Sequence, residues 1–419
     1  MKTYNIIGVM TGNSMDAIDL VLTRFEGKKI KDICSFSKPF LPDMQKKTAD
    51  LRSKVFQKTK AEILHMPEFK AVHDNYVKSI ADAIDEMCRL YHIQKKNVDA
   101  IGFHGKTLDH NPPSKALKEG TTAYTLQIGS GQMLADMTDI KVVYDFRSDF
   151  ILKGFEGAPL VGPHNAHIAI TEGDGIYYNG GNTSNFALIK NGETLLSSDA
   201  GPFNEYIDAF VRLNTQDSCD FNGKYGLQGK LDTSLLSALF EICRLFYEAK
   251  LPKSGDPQYY HQNDVLKLVN RSEINFENAV HTLEYFAAYI AFEALSLIDE
   301  KFDLPQNILL FGGGWKNPVV KASFEALLKG KGYVLPQHQK NFETLINRFK
   351  TKPKIKYCTF GEMMEARLMA DMAYFKLLDK PWPLPEVKTI VAGKIAEPEK
   401  PESKHIFYND MLSAAAKIG

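Results

Sequence analysis

Four stretches of this chain carry residue types that can hold a phosphate, a metal ion or a moving proton. The first, Thr11-Gly-Asn-Ser14, is a polar corner between two apolar runs, residues 4–9 and 18–22, the second run alternating through Ile18, Leu20 and Leu22. Glycine in such a corner allows positive φ and turns backbone N–H groups toward an anion. Asp16 and Asp19 follow, as oxygen ligands for Mg2+ or its waters would. A glycine-containing β-turn in an edge hairpin is the other reading of the same residues. The second stretch, Asn179-Gly-Gly-Asn-Thr-Ser-Asn185, repeats the pattern: an apolar run meets Gly and Asn with hydroxyls, and a strand follows. In the third, Asp199 precedes Gly201-Pro202, which suits either an N-terminal helix cap or a carboxylate base facing a cleft. In the fourth, Gly312-Gly-Gly-Trp-Lys-Asn-Pro318 follows an apolar run. Three glycines let a backbone lie flat against a ligand ring, and the helix start behind them accepts partial negative charge. Two phosphate-type hairpins, each opening an α/β unit, point to a duplicated fold with a nucleotide held between its halves.

The elements that position these stretches form an α/β pattern. At 419 residues the chain exceeds what one hydrophobic core usually holds, so two domains are expected. Residues 69–91 place Val72, Tyr76, Ile80, Ile84 and Met87 on one helical face. Residues 98–103, 124–128, 141–147 and 307–311 read as strands, and 45–60, 133–138, 284–298 and 362–377 as helices. Asp145 and Arg147 come at a strand end, where ligands of α/β sheets usually bind. Residues 154–163, rich in Gly and Pro, read as a domain join or cleft lining, and residues 220–229 as a glycine-rich loop. From Trp382 onward prolines and lysines cluster without a helical period, so this tail reads as extended and partly mobile.

Composition excludes several classes. Lys and Arg total 51 and Asp and Glu total 51, so no bulk charge recruits nucleic acid or a membrane surface, and an anionic substrate has to be held by local groups. The five cysteines are scattered and never form a C-x-x-C pair, which argues for a reducing cytoplasm and against a zinc site. The short apolar run at the N-terminus breaks at Thr11, too early for a signal peptide, and no apolar run has the length of a membrane span. His104-Gly-Lys-Thr107 is not a Walker A loop, because Ala100 sits where that loop needs glycine.

In this order the motifs resemble those of the 1,6-anhydro-N-acetylmuramic acid kinase family, within the larger group of actin-like, Hsp70-like and sugar kinase folds. The resemblance runs from Ile6 to about Lys394. The segment from Ile7 to Asp19 is similar to the family's first phosphate loop, and His104-Gly-Lys-Thr107 to its His-Gly-Gln-Thr. Val143-Tyr-Asp-Phe-Arg147 with Gly157-Ala-Pro-Leu-Val161 is similar to its substrate-side segment. Asn179 to Asn185 looks like the second phosphate loop, Asp199-Ala-Gly-Pro-Phe-Asn204 like the segment bearing the catalytic aspartate, and Phe311 to Pro318 like the adenosine motif.

The resemblance implies a duplicated actin-like (ribonuclease H-like) two-domain sugar kinase fold of the α/β class, with ATP in the interdomain cleft. Residues 1–146 would form the first domain, with a helix at about 361–380 returning to it, 147–360 the second, and 381–419 an extended tail. Gly12, Asn13, Ser14, Met15, Asp16 and Asp19, with Gly180, Gly181 and Asn182 and with Gly312, Gly313, Gly314 and Asn317, would bind ATP. Asp16 and Asp19 would hold Mg2+ through water. Asp199 would be the general base that activates water to open the 1,6-anhydro bridge, with O6 then taking the γ-phosphoryl group. His104, Thr107, Arg147 and Glu365 match sugar-side positions; otherwise His104 is a satisfied strand-end histidine, Arg147 part of an ion pair and Glu365 a solvated helix residue.

The chain departs from the family pattern at Asn13, Ala17, Lys106, Ala200 and Phe203. Lys106 would strengthen anion binding and Phe203 would narrow the sugar pocket. The alternatives are a kinase for an anhydrosugar without the lactyl carboxylate, such as levoglucosan, and a catalytically silent ATP-binding sensor of the same fold. The expected partner is a small anhydrosugar, with no nucleic acid and no membrane, in a cytoplasmic protein that the resemblance suggests is a homodimer.

Overall fold

Branched side chains occupy both faces of β1 (Thr3–Thr11), where Ile6, Ile7 and Val9 are almost wholly buried. Residues of this kind fit a pleated surface covered on both sides. β1 pairs antiparallel with β2 (Ala17–Glu26), which pairs antiparallel with β3 (Lys29–Pro39), an edge strand that alternates exposed and half-buried residues. The computed structural model describes residues 2–12, 15, 17–55, 58–253, 260–358, 363–385, 387–399 and 412–415. Asn13, Ser14, Asp16 and the Phe360-Gly361 pair lie outside the described residues.

The helix Pro67–Leu90 starts with proline in its first turn, where no N–H is needed, and buries Val72, Tyr76, Ile80, Ile84 and Met87. It is followed by β4 (Ala100–Phe103), β5 (Lys106–Asn111), β6 (Tyr124–Ile128) and β7 (Val142–Tyr144). β4 lies parallel to β1 and β7 parallel to β4, while β5 and β6 form a separate antiparallel pair. β7 is shorter than the strand expected at residues 141–147. Asp145 leaves it with φ of 56°, and Arg147 stands at the N-cap of the helix Ser148–Leu152.

A second sheet repeats the plan. β8 (Gly175–Gly180), β9 (Thr183–Lys190) and β10 (Glu193–Pro202) form an antiparallel meander, and β11 (Asn307–Phe311) and β12 (Lys354–Tyr357) add parallel to β8. The order β3-β2-β1-β4-β7 of the first sheet is matched by β10-β9-β8-β11-β12 of the second. Equal order and equal strand directions make this a duplicated α/β fold. The long helix Phe276–Ser296 is buried nearly all round in the second core. Each Leu or Phe so placed contributes about 1.5–3 kcal/mol, so the carboxyls of Glu284 and Glu293 within it need partners.

The last part of the chain returns to the first sheet. The helix Met364–Leu377 lies so close on β1 and β4 that a Cβ on Gly8 would stand 1.8 Å from the Ala366 carbonyl oxygen, and one on Gly102 2.1 Å from that of Met369. Trp382 is 1% exposed, and its Nε1 donates to the Leu160 carbonyl at 2.9 Å. β13 (Lys394–Ala396) pairs antiparallel with β7, and β14 (Leu412–Ala415) with β6. The described residues of the segment read as an extended, partly mobile tail therefore belong partly to the core and partly to sheets. The chain divides into two compact units, Met1–Thr171 with Met363–Gly419, and Glu172–Glu362. Among the described residues no helix is long and apolar enough to cross a membrane.

Candidate functional site

In the first unit the β1–β2 corner is pinned from three directions. Thr11 Oγ1 shares a 2.8 Å hydrogen bond with Tyr76 OH, Met15 N–H donates to the Gly12 carbonyl at 3.1 Å, and Gln45 Nε2 donates to the Met15 carbonyl at 3.1 Å. Met15 holds φ of 54° and is 2% exposed. Asp19, half-buried in β2, accepts from Ser37 Oγ at 2.7 Å. Lys106 Nζ donates to the Gly12 carbonyl at 3.1 Å and is buried. Burial first, then Arg52, lower its pKa to about 7, against the pull of Glu365. Lys106 is thus a buried prop of the corner.

Four sugar-side candidates share this unit. His104 is buried; its Nδ1 bonds the Gly105 carbonyl at 2.8 Å and its Nε2 receives Arg147 Nε at 2.9 Å. Guanidinium only donates, so Nε2 is the acceptor and the proton sits on Nδ1. Burial and then Arg147 lower the His104 pKa to about 3, which keeps the ring neutral. Arg147 also donates to the Gly157 carbonyl at 2.7 Å, tying the 154–163 segment to β4. Thr107 Oγ1 accepts from Gln127 Nε2 at 3.5 Å across a bulge in the β5–β6 pair. Glu365 is exposed in the first turn of its helix; surrounding protein and the Asp19 carboxylate raise its pKa while Arg147 and Lys106 pull it down. The charges of Asp19, Arg147 and Lys106 therefore all reach Glu365.

In the second unit the β8–β9 corner consists of Gly181 and Asn182, and its carbonyls are taken from behind. Asn204 N–H donates to the Gly181 carbonyl at 3.1 Å and Phe203 N–H to that of Asn182 at 2.7 Å. Gly180 backs onto Phe203 and Trp315, where a Cβ would lie 2.7 Å and 2.8 Å from their rings. Gly312, at φ of 96°, presses on Asn179 and Gly180, and Gly314 on Phe203 and Asn204. Two of the three glycines thus serve close contacts within the protein; Gly313 alone has open space around it. Phe203 is 1% exposed and stacked obliquely on Trp315 at 4.7 Å, so it cements this junction and does not narrow a sugar pocket. Asn317 caps the helix Pro318–Leu328 through Val319 and Val320 N–H.

Asp199 lies in β10, opposite Asn185, just before a register shift at Ala200. Bulges of this kind re-aim side chains beside active sites. It caps no helix: Phe203 occupies the cap of Asn204–Asn214 without a side-chain bond. Asp199 is 8% exposed, and its N–H donates to the Lys253 carbonyl at 2.9 Å. Ser198 Oγ closes the same bridge, accepting Lys253 N–H at 2.9 Å and donating to the Lys253 carbonyl at 3.2 Å. Lys253 Nζ donates to the carbonyls of Phe246 and Tyr247 at 2.8 and 2.6 Å. Lys253 and Glu284 escaped the sequence reading. A lysine after Leu251-Pro252 and carboxyls inside an apolar helix are the signals that mark them.

Among the described residues no group of three or more His, Cys, Asp or Glu is placed to hold a metal ion. Mg2+ commonly keeps several waters and uses one or two carboxylates with substrate phosphates. Of the two carboxylates predicted for it, Asp19 lies among the described residues, half-buried and accepting from Ser37 Oγ, and Asp16 lies outside them.

The family model described as anhydro-N-acetylmuramic acid kinase matches residues 4–344. A Vibrio vulnificus (strain CMCP6) protein named anhydro-N-acetylmuramic acid kinase is 27% identical over 383 residues, 91% of this chain and 94% of that protein. Its counterpart from strain YJ016 is 26% identical over the same shares. The crystal structure of the Acidaminococcus fermentans (R)-2-hydroxyglutaryl-CoA dehydratase component A is similar at 11% identity and a TM-score of 0.43, over 90% of this chain and 100% of that one, too distant a likeness to bear on function. With a family model spanning residues 4–344, this chain belongs to the anhydro-N-acetylmuramic acid kinase family, a family of kinases.

Proposed function

We propose that this protein uses ATP to convert 1,6-anhydro-N-acetylmuramic acid into N-acetylmuramic acid 6-phosphate, in the recycling of cell-wall sugar in the cytoplasm. The reading is carried by one observation: Asp199 and the Gly181-Asn182 corner belong to a single hydrogen-bonded frame, joined through Ala200 to Asn204. A carboxylate base and a phosphate-type corner are thereby held in fixed register. Asp199 takes a proton from a water whose oxygen bonds to the anomeric carbon. The bond between that carbon and O6 breaks, and O6 attacks the γ-phosphorus of ATP as ADP leaves.

The chain's own groups supply the rest. In the second unit the backbone of the β8–β9 corner suits the phosphates, and Gly313 offers open backbone to the adenosine. Mg2+, held through water by Asp19, would neutralise charge on the phosphates. Arg147, oriented by His104 and Gly157, suits the lactyl carboxylate. The test is ADP release with 1,6-anhydro-N-acetylmuramic acid and, separately, levoglucosan. The parent should turn over the first and Asp199→Asn should lose about 10²–10⁴-fold in kcat while keeping its fold. Substantial turnover by Asp199→Asn, or a preference for levoglucosan, would contradict the reading.

A further inference from the structure

Glu284 stands fully buried on the long helix of the second unit, with no part in the reaction described above. Its Oε1 accepts Asn317 Nδ2 at 2.5 Å. Its Oε2 lies where a Cβ on Gly226 would be 1.7 Å away, so the loop 220–229 is pressed against it. Asp220, 5% exposed, faces the same carboxyl and gathers that loop, accepting the N–H groups of Tyr225 and Gly226 at 2.9 Å each. His281, on the same helix as Glu284, bonds the Gly226 carbonyl through Nδ1 at 2.8 Å. On the other side, Asn317 Oδ1 accepts Val319 N–H at 2.9 Å and Val320 N–H at 3.2 Å.

Two ionised carboxyls side by side in an apolar core are unfavourable. Burial, and then the Asp220 carboxyl beside it, push the Glu284 pKa up to about 9, so it is protonated at neutral pH. A neutral carboxyl both donates and accepts. Glu284 Oε1 is taken by Asn317, while Oε2 is buried with no other partner among the described residues and is free to donate to Asp220, so the protonated carboxyl can bridge two loops that are far apart in sequence.

We propose that Glu284 is a positioning residue for nucleotide binding, fastening the 220–229 loop to Asn317 and so setting the backbone at Gly313 and the start of the helix Pro318–Leu328. The inference rests on the nucleotide role proposed above for residues 312–317. Glu284→Gln keeps a donor and an acceptor in neutral form; Glu284→Leu removes both at similar volume. The measurements are the Kd for ADP by calorimetry and, during turnover, KM for ATP, KM for the sugar and kcat. Glu284→Gln should stay within about twofold of the parent, whereas Glu284→Leu should weaken ADP and raise KM for ATP about tenfold, the loss of roughly one hydrogen bond. The sugar KM and kcat should stay within about twofold, a split that loss of general stability would not produce. If Glu284→Leu does not fold, Asp220→Asn takes its place with the same expected direction. A folded Glu284→Leu or Asp220→Asn protein that binds ADP as the parent does overturns the proposal. Asn317→Ala separates the two levels. Weakened ADP binding there, with Glu284→Leu unchanged, removes only the role of Glu284, and parental binding in both also removes the nucleotide reading of residues 312–317.

Discussion

Arg147 donates its Nε–H to Nε2 of His104 across 2.9 Å, which makes the histidine an acceptor and a support, with no proton to give at that nitrogen. The buried ring stays neutral down to about pH 3. His104→Ala should therefore misplace Arg147 and raise KM for the anionic sugar by roughly ten- to a hundredfold, the range for a hydrogen bond to a charged group. The shape of the pH profile between pH 5 and 8 should not change. A lost ionisation in that window would show that His104 titrates during catalysis.

Lys253 bears on the candidate base through charge as well as backbone. Burial lowers its pKa to about 8, with Glu293 and Asp199 opposing, so the ammonium is mostly charged at neutral pH. A cation favours the ionised form of a nearby carboxylate. Lys253→Met should raise the pKa of Asp199 and move the acid limb of kcat/KM upward by about one unit. Rates at neutral pH would fall less than at pH 5. An acid limb at the parental pH would show that the ammonium only closes the end of its neighbouring helix.

Asp371, wholly buried, is gripped by two histidines, His164 Nδ1 at 2.8 Å and His167 Nδ1 at 2.9 Å. Burial works against a charged His167, but Asp371 and the Lys28 carbonyl outweigh it and raise its pKa. Burial likewise opposes an ionised Asp371, yet the two histidines hold its pKa below the usual carboxylate value of 3.8. A His with a raised pKa stabilises fully below its unfolded pKa of about 6.5 and loses that contribution as pH climbs through the folded value. The Asp contribution is present above 3.8 and disappears as pH falls through its lower folded value. His167→Asn should therefore cost more stability at pH 6 than at pH 9, each compared with the parent at the same pH. Asp371→Asn should cost about 3 kcal/mol in denaturant unfolding at pH 6. Equal losses for His167→Asn at both pH values would contradict a charged imidazole.

Much of the architecture was legible because alternation marks half-buried strands and a 3.6-residue period marks amphipathic helices. The β1–β2 and β8–β9 hairpins and the helix Pro67–Leu90 announce themselves in this way. β5 did not, because Lys106, Asp109 and Asn111 are polar residues buried on partners that only the tertiary fold supplies. β13 is three residues long, too short for any period. At the site, residue types indicated Asp199, the two corners and the glycine run. They could not show that Phe203 is spent on Trp315, or that Gly312 and Gly314 answer to neighbouring backbone and rings. Glu284 looks like a lapse in an apolar helix until Asn317 and Gly226 are seen beside it.

The notches at Gly8 and Gly102 have a further consequence during synthesis. The helix that fills them, Met364–Leu377, leaves the ribosome long after β1 and β4, whereas the second unit, Glu172–Glu362, is continuous in the chain. A growing polypeptide can close its internal unit first and must carry the two notched strands uncovered until the end. The unit begun first is completed last, and translation halted before Met364 leaves its central strands without their lid.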